Sequence, residues 1–324
     1  MENKDVNNRK IGYICIAVTT ILFSSMETVL KLVAGDFNPV QMTLIRFFIG
    51  GLVLFPFALN TLRKKRLAVT PRYLGKFAFL GFVGIFLSMN LYQLAITYTE
   101  ASVVAVIFSC NPLFVTIFAG LFLKEVIERK NIWAIALEII GIVIIIQPWN
   151  TKLSVTGVIL TILATVAFAL YGVLGKRDSA KFGGVVTTCF SFLCASVEMI
   201  LLAVVSKIPA VSGFLTDAGL DKFSSIPLFT GFSMDNILVV LYVGIGVTGV
   251  GYACYFIAME KVKAQTVNLV FFFKPILAPV FALAVLHEVI PFNMIVGIVV
   301  LLAGSFVSLF GDRFSKSKNA GFEK

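Results

Sequence analysis

Residues 111–125 read NPLFVTIFAGLFLKE, and residues 274–288 read KPILAPVFALAVLHE. Each stretch sets a proline at the head of an apolar run, closes that run on a glutamate, and is followed by a further apolar run holding a glycine. Pro112 and Pro275, Glu125 and Glu288, and Gly141 and Gly304 are all 163 positions apart. Self-similarity at a fixed offset marks repeated structural units within one chain. Outward from this pair the repeat continues. Gly12, Phe23 and Lys31 recur as Gly157, Phe168 and Lys176 at an offset of 145. From Tyr92/Tyr255 and Ala95/Ala258 onward the offset is 163. The 18 additional residues fall in the segment 206–235. That segment is amphipathic through Phe214, Leu215, Phe223, Ile226, Leu228, Phe229 and Phe232. It suits an interfacial segment, a cap over an outer entrance, or an ordinary surface loop.

Composition decides the solvent. The chain is 59% hydrophobic and 14% charged, with a mean hydropathy of +0.97. Soluble domains average about 45–50% apolar and about 25% charged residues. A soluble fold would leave much of this apolar surface in water, so the reading is an integral membrane protein. A spanning helix needs about 20 mostly apolar residues. Such stretches occur at 11–33, 39–59, 73–97, 101–123, 130–148, 153–175, 183–205, 236–259, 264–286 and 291–311. The first is longer than a signal-peptide core and lacks a cleavage pattern.

The net charge of +10 points to topology rather than to nucleic acid, because the basic residues gather at segment ends. Twenty-one of the 27 Lys and Arg residues fall on one side, among them Lys10, Arg63–Arg66, Lys76, Lys124, Lys176, Lys181 and Lys261. Lys31, Lys152, Lys207 and Lys222 take the other side, and Arg46 and Lys274 are left inside the membrane. The positive-inside rule then places both termini in the cytoplasm of a multi-pass cell-membrane protein. The tails are 1–10 and 312–324, and the two halves are 11–149 and 150–311. An odd number of spans in each half turns the second upside down relative to the first. The expected fold is therefore an all-α polytopic membrane protein with ten transmembrane helices in two inverted five-helix repeats, as in secondary transporters that bind cargo near the midplane.

The doubled set Pro112, Glu125, Gly141 and Pro275, Glu288, Gly304, spread over residues 11–311, resembles the EamA-type transporters of the drug/metabolite transporter superfamily. The resemblance implies export or exchange of small metabolites by alternating access, without ATP hydrolysis, and names no substrate. Lys274 ahead of the second proline is not part of that general pattern.

Lys274 lies about ten residues into its span, about 15 Å deep at 1.5 Å per residue. A lysine at the midplane is costly, and it faces either a hydrated cavity or a partner. It binds an anionic group, with a proton as competitor, or it closes a buried ion pair. Its repeat mate Asn111 either lines the same cavity or satisfies the Pro112 kink. Thr20, Ser24, Glu27 and Lys31 share one face of the first helix. Glu27 and Arg46 both lie about 9–10 Å from the same membrane face. They form a structural pair, or Glu27 serves an amine or proton while Arg46 serves a carboxylate or phosphate. Asn90, Gln93 and Tyr255 are candidate cavity-lining groups, and Tyr171 is a candidate aromatic wall. Glu138 and Glu198 are intramembrane acids and candidates for proton coupling. Glu125 and Glu288, at helix ends, suit capping or charge pairing.

The cysteines Cys15, Cys110, Cys189, Cys194 and Cys254 lie in apolar runs and suit small buried hydrophobes. His287 is the only histidine, so a histidine-rich metal cluster is excluded. No cofactor is expected, and no catalytic or nucleotide-binding motif is present, which argues against an enzyme. The expected partners are a small-molecule substrate and the lipid bilayer, with proton or ion coupling, in a monomer or homodimer. The leading function is a secondary transporter of a small polar or amphipathic metabolite with an acidic group, such as an amino acid or organic anion, working around Lys274. The alternative is a passive channel or facilitator, which counterflow distinguishes from a carrier.

Overall fold

The computed structural model describes residues 2–124, 129–147, 154–262, 264–267 and 269–320; Glu125, Lys152, Lys263 and Lys324 lie outside them. The described residues form helices and turns, with no strand among them. Hydrocarbon offers no partner for backbone N–H and C=O groups, and a helix satisfies them within one segment.

We number the long helices α1 (Glu2–Leu32), α2 (Pro39–Lys65), α3 (Pro71–Tyr98), α4 (Ala101–Leu123) and α5 (Arg129–Ile146). The second half contributes α6 (Val155–Phe182), α7 (Gly184–Val205), α8 (Met234–Lys261), α9 (Leu269–Leu286) and α10 (Phe292–Ala320). Among the described residues, eight helices are long and apolar enough to cross a membrane. The expected spans 130–148 and 291–311 correspond to α5 and α10, within which the described apolar segments are Asn131–Ile146 and Phe292–Val307. α5 stops at Gln147, which takes a left-handed φ of 43° just ahead of Pro148. A residue before proline is steered away from helical dihedrals, which ends the helix there.

Local chemistry sets the other boundaries. Asn38 and Gln41 form a reciprocal cap at the start of α2, with Pro39 in its first turn. Ser154 caps α6, and Gly183 turns the chain into α7 with a φ of 99°. Ser233 and Asn236 cap α8 reciprocally. α3 and α8 each widen into a π-helical stretch, Phe82–Leu87 and Tyr242–Gly251. In the second, Thr248 Oγ1 donates to the carbonyl five residues back, Val243, at 2.8 Å. Such widenings often accompany functional sites.

Helix contacts in the two halves correspond. α1 packs on α8 and α9, as α6 packs on α3 and α4. α2 packs on α8, as α7 packs on α3. α2 meets α7, α4 meets α9, and α5 meets α10. At the last crossing the glycines of the sequence repeat act as close-approach points. A Cβ on Gly141 would lie 2.8 Å from Leu301 Cγ, and one on Gly304 would lie 2.9 Å from the Ala134 carbonyl.

The amphipathic segment before α8 folds over the α1–α2 turn. It contains a short helix, Pro209–Asp217, and buries Ile226. Asn38 Nδ2 donates to the Lys222 carbonyl at 2.8 Å, and Gln41 Nε2 to the Thr230 carbonyl at 2.7 Å. Phe37 meets Phe232 edge-on, with ring centroids 5.1 Å apart. Phe214 and Phe229 remain exposed.

Candidate functional site

α9 carries Lys274 into the bundle beside Pro275, where it is buried. Its Nζ lies 2.6 Å from Glu27 Oε1 on α1. The same carboxylate oxygen accepts the hydroxyl hydrogen of Tyr92 from α3. Lys274 Nζ also lies 5.3 Å from the centre of the Phe108 ring on α4. Three helices from both halves of the chain thus converge on one carboxylate. Lys274 is therefore not a lone ammonium group: of the alternatives read from the sequence, the buried ion pair is formed, and with Glu27. Tyr92 was visible in the sequence only as the repeat mate of Tyr255; nothing local marked its hydroxyl as part of a charged cluster.

Arg46 is 1% exposed and has a different environment. It makes no ion pair with a carboxylate among the described residues, so the Glu27–Arg46 pair considered above is absent. Glu27 faces α9 instead. Arg46 Nη1 lies 3.3 Å from Met26 Sδ and Nη2 lies 3.5 Å from Met89 Sδ, while Nε has no partner. Its Cζ is 4.6 Å from the Phe47 ring centre and 5.9 Å from that of Tyr92. Thioethers and ring faces are weak partners for a guanidinium with five donors. The centre therefore holds two cations against one carboxylate and is net positive.

Beside this cluster lies a cavity of about 1050 Å³. Arg46, Lys274, Asn111, Tyr171 and Tyr255 are on its wall, together with Met26, Met89, Phe108 and Tyr252. It extends to the exposed Lys65, Lys176 and Glu260, on the basic side of the molecule. That side is tied together by Lys65 Nζ donating to the Lys181 carbonyl at 3.2 Å and by Lys76 pairing with Asp178 at 3.7 Å. Asn111 lines the cavity, and its Nδ2 donates to the Thr165 carbonyl of α6 at 3.2 Å, a neighbouring helix rather than the Pro112 kink. Tyr171 packs on Phe168 and approaches Thr188 Oγ1 at 3.4 Å. Tyr255 packs among Phe23, Phe256 and Phe271.

Four sequence candidates are set back from the cavity wall: Glu27, Asn90, Gln93 and Glu198. Asn90 turns onto its own helix, with Nδ2 donating to the Phe86 carbonyl at 2.6 Å, and its Oδ1 has no partner. Gln93 is buried with its Oε1 unpartnered. The three-residue spacing of Asn90 and Gln93 gives the face of α3 but not whether cavity or neighbouring helix covers it. Glu138 does line the cavity, and its Oε1 lies 3.5 Å from Ser305 Oγ on α10. Glu198 lies on α7 with one oxygen buried and unpartnered.

The opposite side is closed by specific contacts. Glu288 reaches from the end of α9 to the start of α4, accepting from the Ala101 and Ser102 amides at 2.8 and 3.1 Å and from Ser102 Oγ at 2.7 Å. An anion is favoured at a helix N-terminus, where amides point outward unpaired. Lys31 Nζ donates to the Ile96 and Thr99 carbonyls at 2.6 and 2.7 Å, closing the end of α3. Between them Glu100 has its carboxyl pushed up from the ordinary value, first by burial and then by the Glu288 charge, with Lys31 opposing.

The EamA-like transporter family model matches residues 10–147 and 155–310. The chain belongs to the EamA-like transporter family. It is similar to an uncharacterised transporter of Clostridium kluyveri, at 35% identity over 96% of this chain and 95% of that protein. An uncharacterised transporter of Archaeoglobus fulgidus is 23% identical over 91% of this chain and 97% of its own. A solved crystal structure shares the fold, with a TM-score of 0.64 at 16% identity over 95% of this chain and 99% of its own. With its apolar helices, this family member is a multi-pass membrane transporter.

Proposed function

We propose that this EamA-family protein is a secondary active transporter, an exporter or exchanger, of a small polar or amphipathic metabolite with an acidic group. The observation that carries the reading is the net positive, buried cluster of Arg46, Lys274 and Glu27 against a cavity of about 1050 Å³ that extends to one side only. A ligand site with access from one side, its other side held by Glu288 and Lys31, is what a carrier needs between its two access states. A channel would need access from both sides at once.

The corresponding helix contacts of the two halves, and a family match that falls in two blocks, support two inverted five-helix repeats and ten spans. The basic clusters at the mouth of the cavity support a cytoplasmic opening and cytoplasmic termini in the cell membrane. Lys274, Arg46, Asn111, Tyr171 and Tyr255 serve the substrate from the cavity wall. Glu27 acts behind them by holding Lys274, with Asn90 and Gln93 as polar support. Glu138, on the wall, is the stronger candidate for carrying a coupled proton, and Glu198 the weaker.

The test is counterflow in proteoliposomes loaded with candidate organic anions. A carrier accelerates labelled uptake when unlabelled substrate is inside, and Lys274→Ala, assayed below its lowered unfolding temperature, abolishes that uptake. Uptake indifferent to internal substrate would favour a channel and reject this reading.

A further inference from the structure

Lys274 and Arg46 share the cavity wall but differ in what they have to offer a ligand. The Lys274 ammonium is held by Glu27 at 2.6 Å. Glu27 is held in turn by Tyr92 and is set back from the wall. Arg46 has no oxygen acceptor among the described residues; its two terminal nitrogens face the sulfurs of Met26 and Met89, and its buried Nε has no hydrogen-bond partner. A guanidinium presents its donors as a planar fork that matches a carboxylate with two parallel hydrogen bonds. Methionine is unbranched and adaptable, so the two thioethers can turn aside and yield their places to carboxylate oxygens.

The surroundings constrain the rest of the ligand. The wall beside the two cations is aromatic, with Phe23, Phe108, Phe168, Tyr252 and Tyr255. Of the acids nearby, Glu27 is set back from the wall and engaged by Lys274 and Tyr92, and Glu260 lies exposed at the mouth. Glu138 is on the wall, 3.5 Å from Ser305 of α10, with its second oxygen unpartnered, so it could meet an ammonium where a substrate carries one. The two cations Lys274 and Arg46 make an anionic group the feature the site requires.

The geometry points to Arg46 as the carboxylate receptor of a site for monocarboxylates with an aromatic or other apolar body and no required amino group. This rests on the transporter reading and narrows its substrate class from acidic metabolites in general to carboxylates with an apolar body. The fork docks the carboxylate, the aromatic wall covers the body, and the Lys274–Glu27 pair stays intact.

The experiment measures binding and transport separately, with purified full-length protein and four probes of one skeleton: 3-phenylpropionate, 3-phenylpropionamide, phenethylamine and phenylalanine. The expected result is that 3-phenylpropionate and phenylalanine, which share the carboxylate, raise the unfolding temperature and drive counterflow, while the amide and the amine do neither. Arg46→Gln should weaken 3-phenylpropionate binding by about ten- to a hundredfold, the range for hydrogen bonds to a charged group. Arg46→Lys should recover part of that loss. If Arg46→Gln does not fold, Arg46→Lys with a native unfolding profile carries the test through its intermediate affinity. Binding of the amide or amine as tight as that of the acid, no binding of any probe, or Arg46 variants with unchanged affinity would overturn the assignment. Counterflow driven by phenylalanine or phenethylamine but not by 3-phenylpropionate would also overturn it while leaving the carrier reading standing. Arg46-dependent binding of 3-phenylpropionate without counterflow would uphold the assignment and remove the carrier reading.

Discussion

Glu27 on α1 and Lys274 on α9 meet at 2.6 Å, joining residues 247 positions apart across the two halves of the chain. Both are almost fully buried, so each charge depends on the other. Removing one partner of such a pair leaves an uncompensated charge, at a cost of about 3–5 kcal/mol, whereas replacing both with apolar residues is often neutral. Glu27→Gln and Lys274→Met should therefore each lower the unfolding temperature markedly, and the double variant should regain most of it. Thermal unfolding of the four proteins in detergent checks this. An additive double variant would mean that the pair contributes no coupling.

The α5–α10 crossing depends on Gly141 and Gly304, where an added side chain would run into Leu301 or the Ala134 backbone. Overpacking a closely fitted contact costs about 1–3 kcal/mol. Gly141→Leu should destabilise the protein by that order, more than Gly172→Leu, whose added Cβ would meet nothing within 4 Å. Equal unfolding temperatures for the two variants would contradict the close approach.

Glu288 holds the N-terminus of α4 through the Ala101 and Ser102 amides. Hydrogen bonds to a charged group contribute about 1.5–3 kcal/mol. Glu288→Ala should loosen this end, so that a cysteine placed at Thr97 in a cysteine-free background reacts faster with a charged thiol reagent added from that side. An unchanged labelling rate would show that Glu288 does not keep the side closed.

Glu100 gives a pH dependence with a definite sign. Burial, then the Glu288 charge, raises its carboxyl in the folded protein. A raised acid favours the folded state when protonated; its contribution is full below the unfolded pKa of about 4.3 and is lost as pH rises through the folded value. Glu100→Gln should accordingly stabilise the protein at pH 7, with a gain that shrinks towards pH 4. Unfolding temperatures across that range test it; a gain that grew on acidification would reverse the sign.

Family membership and the helical membrane architecture were legible in the chain, because apolar run length and the spaced Pro, Glu and Gly markers are local patterns. Helix boundaries followed from the same local chemistry, apart from the end of α5 at Ile146. The identities of the buried charges were also legible, since Glu27, Arg46 and Lys274 stand out in runs where any charge is costly. Similar depth even suggested that Glu27 and Arg46 could meet.

The sequence by itself determined that this protein lives in a bilayer, that its two halves share the same spaced Pro, Glu and Gly markers, and which few charges its interior must accommodate. Only the tertiary structure decided how those charges are distributed. It gave Glu27 to Lys274 and Tyr92, left Arg46 with two methionines, and set Asn90 and Gln93 behind the cavity wall. The physical reason is that depth and helical face are one-helix properties, fixed by spacing along the chain. Pairing across a bundle depends on which helices are neighbours and how each is rotated, and that is settled by the packing of side chains far apart in sequence.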